Sequence, residues 1–314
     1  MKWRFIIALT LLASGFGGLS DARAADAAKE RSTDELTVTA EIARDGDFMA
    51  YGFDALWMMT GATLVRVDGT TNAVGDIPVP ETTGRVRGLA IGEGAVWIPD
   101  AVSEQIFKFD PVENKIALVI PASFSGTEGS IGVGAGSVWV TTRGHVLSRF
   151  GATTGALEAS ISLPFGAGAP AAIFDNGFVW VTGFARDELY KIDARTNTLV
   201  QTIGLHPSPR FLTAGEGSIW ILNQGDGTVQ RIDPMSGQVI ASIETGHAGR
   251  GGDITAGGGY IWVTLRDVPL VQIDPKANGV AALFKGIGWG DAIRFGGGSL
   301  WISGHSIRRL TPPH

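Results

Sequence analysis

The 314-residue sequence contains no cysteine, so neither disulfides nor thiolate metal sites hold its fold together. It is also poor in charge, with 18% Asp, Glu, Lys and Arg, and its balance is acidic at a formal −6, which argues against nucleic acid as a partner. Beyond the N-terminus no run of 18 uncharged apolar residues occurs, so no later segment is expected to cross a bilayer as a helix. Helix-period segments of useful length are missing as well. The zinc spacings HxH and HExxH are absent, and so is the GxSxG turn of serine hydrolases.

The first 24 residues have a basic start at Lys2 and Arg4, an apolar run from Phe5 to Leu12, and an Ala22-Arg23-Ala24 triplet, which is how a secretory signal peptide is built. Its removal takes away Lys2, Arg4, Arg23 and Asp21 and leaves 22 basic and 30 acidic side chains. An exported chain without disulfides fits the bacterial periplasm best, with secretion as the alternative. Residues 25 to 34 read as a polar, flexible leader, and 35 to 314 as one domain.

What the sequence has in abundance is repetition. The phrases GAGSVWV (134–140), GEGSIWI (215–221), GGGYIWV (257–263) and GGGSLWI (296–302) share a tryptophan in the sixth place. The column comprises Trp57, Trp97, Trp139, Trp180, Trp220, Trp262 and Trp301, with spacings of 40, 42, 41, 40, 42 and 39. A period near 40 with alternating apolar residues and Gly-rich turns predicts an all-β seven-bladed propeller of four-stranded antiparallel blades. The tryptophans are expected as wedges between blades. Asp68, Asp110, Asp193, Asp233 and Asp274 end third strands and are expected to cap tight turns rather than bind calcium. The last unit has room for three strands only, and LTVTAEIA (36–43) resembles a fourth, so the N-terminal strand is expected to complete the last blade and close the ring.

Stretches such as GSVWVTTRGHVLSRF (136–150) and GSIWILNQGDGTVQRIDPMSGQVIASI (217–243) resemble the repeats of YVTN-type seven-bladed propellers and of the streptogramin lyase (virginiamycin B lyase) group. The similarity covers all seven units and lies in blade residues. It implies a ligand over the central channel and, as in the lyases, a magnesium ion with a catalytic histidine there. The histidine and glutamate that the resemblance implies at the start of a late inner strand are replaced here by Arg210, by Gly252 with Asp253, and by Asp291. His305, on the same face, is the candidate catalytic base, and Asp253 and Asp291 are the candidate oxygen ligands of the metal.

Blade topology places second-to-third loops and blade-to-blade loops at one end of the ring, and that end carries the functional side-chain types. Ten residues before each tryptophan stand Asp47, Arg87, Gly129, Pro170, Arg210, Gly252 and Asp291; four after it stand Gly61, Ala101, Arg143, Phe184, Gln224, Arg266 and His305. Guanidinium groups at Arg87, Arg143, Arg210 and Arg266 make a cradle suited to carboxylate or phosphate. Asp291, His305 and Trp289, the one tryptophan of the mature chain outside the column, complete the candidate ligand set. Three functions stay open: a periplasmic binder of a small anion or an acidic partner segment, a magnesium-assisted lyase or hydrolase, and a protein-interaction platform.

Overall fold

In a computed structural model, which describes residues 28–84, 86, 88–124, 128–129, 131–164, 166, 170–249, 251–286 and 290–313, the strands pair into seven antiparallel sheets in chain order. Each sheet is one blade, and the expected seven-bladed propeller is the observed fold. The signal peptide expected at 1–24 lies outside the described residues, as do Arg85, Arg87, Arg250 and Trp289. No helix among the described residues is long and apolar enough to cross a membrane.

The recurrent phrase has a backbone cause at each end. Its central pair turns the chain from the first strand to the second, and both residues have positive φ, as with Glu93 (49°) and Gly94 (73°) or Glu216 (48°) and Gly217 (73°). Two left-handed residues in succession make a type I′ hairpin, which matches the twist of the strands it joins. The leading glycine has a different task. A Cβ on Gly92 would lie 2.8 Å from Val133 Cγ1 in the next blade, so this position is kept bare for close approach.

The tryptophan follows five residues later and is fully buried in every unit. Each ring packs against the second strand of the following blade: Trp220 clusters with Ile261 and Val263, and Trp301 with Leu56 and Met58. Burying a ring of this size contributes about 4–6 kcal/mol of transfer free energy before entropy is counted. The indole N–H of Trp57, Trp97, Trp139, Trp220, Trp262 and Trp301 donates to the carbonyl of the leading glycine at 2.9–3.2 Å. In the fourth blade Asp175 replaces that glycine, and the buried Trp180 Nε1 has no partner.

A second device, not foreseen from the sequence, locks one blade to the next. The third-strand residue opposite each tryptophan is Lys or Arg in six blades and lies over the indole, and in five of them, all but Arg66, it then reaches the next blade's turn. Lys108 Nζ donates to the Ala152 carbonyl at 2.8 Å, Arg149 to Ala194 at 2.8 Å, and Lys191 to Met235 at 2.8 Å. Across the seam Arg309 bonds Asn72 at 2.8 Å. Apart from the turn at Gly151 that Lys108 grips, these are Asp turns: Asp233 accepts the backbone N–H groups of Met235 and Ser236 at 2.9 and 2.7 Å, and Asp68, Asp110, Asp193 and Asp274 repeat the pattern. These carboxylates are the turn caps expected. Backbone donors, those of Thr71 foremost, hold Asp68 down to about 2.

The ring closes as expected. Val38–Ile42 pairs antiparallel with Ile307–Leu310 and completes the seventh blade. The leader is a correction. Lys29–Ser32 is a strand, pairing in parallel with the outer strand of the sixth blade from Lys29↔Ala282 to Ser32↔Lys285. A 3-10 turn with a Ser32–Glu35 capping box then steers the chain into the seventh blade. The polar composition was misleading because an outermost strand faces water and needs few apolar residues.

Candidate functional site

The inner strands that line the channel are not equivalent. Among the described residues five of them hold three or four residues, from Ala90–Gly92 to Ile293–Gly296, whereas Asp47–Gly52 in the first blade has six and Pro209–Gly215 in the fifth has seven. Both long strands run further toward the mouth, and both slip register there, between Asp47 and Ala50 and between Pro209 and Phe211. Bulges of this kind re-aim side chains. In the first blade the slip is accompanied by a left-handed Phe48 (φ 54°), a conformation costing about 1–3 kcal/mol for a bulky residue.

The two distortions face each other. The first and fifth blades stand on opposite sides of the channel, and they send Asp47 with Phe48 and Arg210 with Phe211 into one mouth cavity of roughly 420 Å³. Leu89, Glu128, Phe184, Gln224, Asp253, Asp291 and Arg294 complete its chemistry. A larger, more open recess of roughly 800 Å³ adjoins it toward the first, sixth and seventh blades, lined by Asp45, Asp47, Arg266, Asp291 and His305. Asp47 and Asp291 border both spaces.

Two arginines of the mouth are already matched. Arg210, 8% exposed, is bonded to Glu128 and lies 5.0 Å from the Phe211 ring. Arg294 is bonded to Asp253, whose other oxygen accepts the Ile254 N–H at 2.8 Å. Asp253 also accepts the Ile293 N–H at 3.2 Å. Asp291 accepts the Gly252 N–H, and Asp47 accepts the Phe48 N–H at 3.1 Å. Water still reaches Asp47, but the concave wall surrounds its carboxyl with protein. That desolvation, followed by the charge of Asp291 and smaller pushes from Asp253 and Glu128, outweighs the Phe48 N–H and raises its pKa to about 6.

Of the residues singled out in the sequence, Arg210, Asp253 and Asp291 meet in the mouth, and Arg266, His305 and Asp291 meet in the recess. Arg143 is apart from both: it is exposed and paired with Glu104 at 2.5 Å on the rim. Arg87 and Trp289 fall outside the described residues. His206, on the same face, is bonded through Nδ1 to Asp226 at 2.7 Å. The four-arginine cradle is thus not assembled among the described residues, because Arg210 is committed to Glu128 and Arg143 to Glu104. Arg294 went unnoticed in the sequence, although it stands seven residues before its tryptophan in a column otherwise of Ala, Gly, Ile and Thr.

The donor set for magnesium is small. Asp253 spends both oxygens on backbone donors and Arg294, and among the described residues no three His, Asp or Glu side chains gather as metal ligands. Magnesium takes near-octahedral oxygen coordination but keeps several waters, so Asp47 and Asp291, which border both spaces, are the carboxylates left that could hold it.

No family model and no curated protein sequence matches the chain. Solved structures do. A streptogramin B lyase superposes with a TM-score of 0.71 at 18% identity, covering 88% of this chain and 95% of the other. Virginiamycin B lyase from Staphylococcus aureus gives 0.70 at 15% identity, over 89% and 100%. BamB from Moraxella catarrhalis gives 0.63 at 14% identity, over 88% and 99%. At these identities the likeness carries architecture and nothing finer: the chain is a seven-bladed propeller built like those of the streptogramin lyases.

Proposed function

We propose that the chain is an exported, periplasmic propeller that binds a small molecule at the mouth of its channel. The observation that carries this reading is the asymmetry of the ring. A repeated scaffold made for its own stability has no need to lengthen and bulge two opposed inner strands, place Phe48 in a strained conformation, and turn two Phe residues and two oppositely charged residues into one cavity. The volume suits a small organic ligand, with apolar walls for its skeleton and a few polar groups to orient it. The anionic ligand expected from the arginine count is poorly matched to the mouth, since Arg210 and Arg294 are paired and four carboxylates line the same space. Anion binding is better supported at the recess, through Arg266 and His305.

The test is thermal unfolding of the whole purified protein against a panel of amines, carboxylates, phosphates and cyclic depsipeptides. A compound that binds the native state raises the midpoint, and a mouth ligand loses that effect in Phe211→Ser. If no compound raises the midpoint, the small-molecule reading falls and the protein-platform reading takes its place.

One observation favours a second reading, an acid–base lyase or hydrolase. Asp47, with its pKa raised to about 6, and the His305 imidazole line the same recess, and a carboxyl and an imidazole facing one space are side-chain types that carry proton transfer. Turnover of a compound from the panel, abolished in His305→Ala while the unfolding midpoint is kept, would establish it.

A further inference from the structure

We propose that the ligand of the mouth is a small organic ammonium ion, its charge held between the Asp47 and Asp291 carboxylates and its carbon skeleton against Phe48, Leu89, Phe184 and Phe211. This rests on the mouth being a ligand site and assigns the chemical class that fits it.

The argument is one of charges left over. Four carboxylates and two arginines line the cavity, and the pairs Arg210–Glu128 and Arg294–Asp253 consume both cations. Among the described residues neither Asp47 nor Asp291 has an ion-pair partner. Two unpaired carboxylates in one concave space repel each other, and a cation between them converts that repulsion into attraction. The raised pKa of Asp47 comes first from its desolvation and then from the charge of Asp291, which is this repulsion. Water alone would relieve it at an open surface, but this wall also carries three phenylalanines and a leucine, which offer water nothing. Aromatic faces beside carboxylates suit an ion that is charged at one end and greasy at the other. The cavity already contains such a contact of its own, the Arg210 guanidinium over Phe211. A bare metal ion would leave the rings unused.

The ion sits in a cavity that two opposed blades, the first and the fifth, enter through a shared column. Phe48 and Phe211 both stand nine residues before their tryptophans, Asp47 and Arg210 ten before. Where the fifth blade fills its own position with Arg210, a cation tethered to the chain, the first blade offers Asp47 to a cation that comes from outside.

The experiment is isothermal titration calorimetry of the whole protein with benzyltrimethylammonium, benzylamine and benzoate, at about pH 7.5 and again at about pH 5, on either side of the Asp47 transition. An ammonium probe is expected to bind, benzoate is not, and affinity is expected to fall at the lower pH as Asp47 takes up a proton. Asp291→Asn keeps an acceptor for the Gly252 N–H, so the fold is retained while the affinity drops roughly tenfold, the scale of one lost charge contact. Phe211→Leu weakens binding less. Binding of benzoate in place of the ammonium probes, lost in Phe211→Leu, would overturn the assigned class and leave the mouth as a ligand site. Ammonium binding that is unchanged in both Asp47→Asn and Asp291→Asn would place the ion elsewhere and sink the proposal. Failure of both ammonium probes to bind, with benzoate silent as well, also overturns it; the broader panel then decides whether the mouth binds anything.

Discussion

The fourth blade offers a comparison, because Trp180 and Trp220 share full burial and a third-strand cation, differ at the indole N–H, and differ besides in the Phe178 ring 6.3 Å from Trp180. Both rings are wholly buried, and both lie beneath a third-strand cation, Lys191 at 5.3 Å and Arg231 at 5.1 Å. Replacing either by Phe therefore removes similar area and a similar cation contact. The difference lies at Nε1. Trp220 donates to the Gly215 carbonyl at 3.0 Å, so Trp220→Phe loses a net hydrogen bond, worth about 0.5–1.5 kcal/mol. Trp180 Nε1 is buried without an acceptor, so Trp180→Phe removes an unpaired donor and recovers about 1–3 kcal/mol of desolvation cost. Trp220→Phe is thus expected to destabilise the protein by about 2 kcal/mol more than Trp180→Phe. Equilibrium unfolding in urea reads the gap directly, provided the slope with denaturant stays the same in both variants. Equal losses within about 0.5 kcal/mol, or a larger loss for Trp180→Phe, would show that the indole N–H does not contribute as argued.

Three further outcomes follow from the same contacts. Asp47 has a folded pKa above its unfolded one, so its charged form opposes folding; the penalty is absent below the unfolded pKa of about 3.9 and complete above about 6. Asp47→Asn should accordingly raise the thermal midpoint at about pH 8 and leave it unchanged near pH 3.5, as scanning calorimetry can check. Asp233 shifts the opposite way, its pKa lowered first by the Ser236 N–H. Its stabilisation is present above about pH 3.9 and lost as pH falls through the folded value, so Asp233→Ala should lower the midpoint at neutral pH and differ less from the parent in acid. Gly92→Ala pushes a Cβ to 2.8 Å from Val133 Cγ1 and should cost about 1–3 kcal/mol in urea unfolding, by forcing two blades apart.

The architecture was legible because it is written in columns: glycine where φ is positive or the next blade comes close, tryptophan where a wedge is needed, aspartate where a turn must be capped. The chain ends were half legible. The closing strand at 38–42 showed its alternation, whereas Lys29–Ser32 is exposed or half-exposed at every residue and carries no such pattern. The site was legible as a departure from the columns. Counting ten residues back from each tryptophan finds Asp47, Arg210 and Asp291, but counting four forward puts weight on Arg143, which lies on the rim with Glu104. Register says which residues sit near the mouth; it does not say which of them already have partners. Nor does it show that two inner strands run longer than the rest, since that depends on a bulge and on the dihedral angle of Phe48. The arginine count has the same limit: it does not show that Arg210 is bonded to Glu128 and Arg143 to Glu104.

The seventh blade has a consequence for the order in which the molecule can be made. Its outer strand is residues 38–42 and its partner is residues 307–310, so one of the first strands to leave the ribosome waits for one of the last. Through that interval the six other blades can form as local hairpins, but the ring remains an open arc, with the Leu56 and Met58 side of the first blade lacking Trp301. An arc has two raw sheet faces, where a closed ring has none. The molecule is therefore most exposed to sticking to its neighbours just before its ring closes.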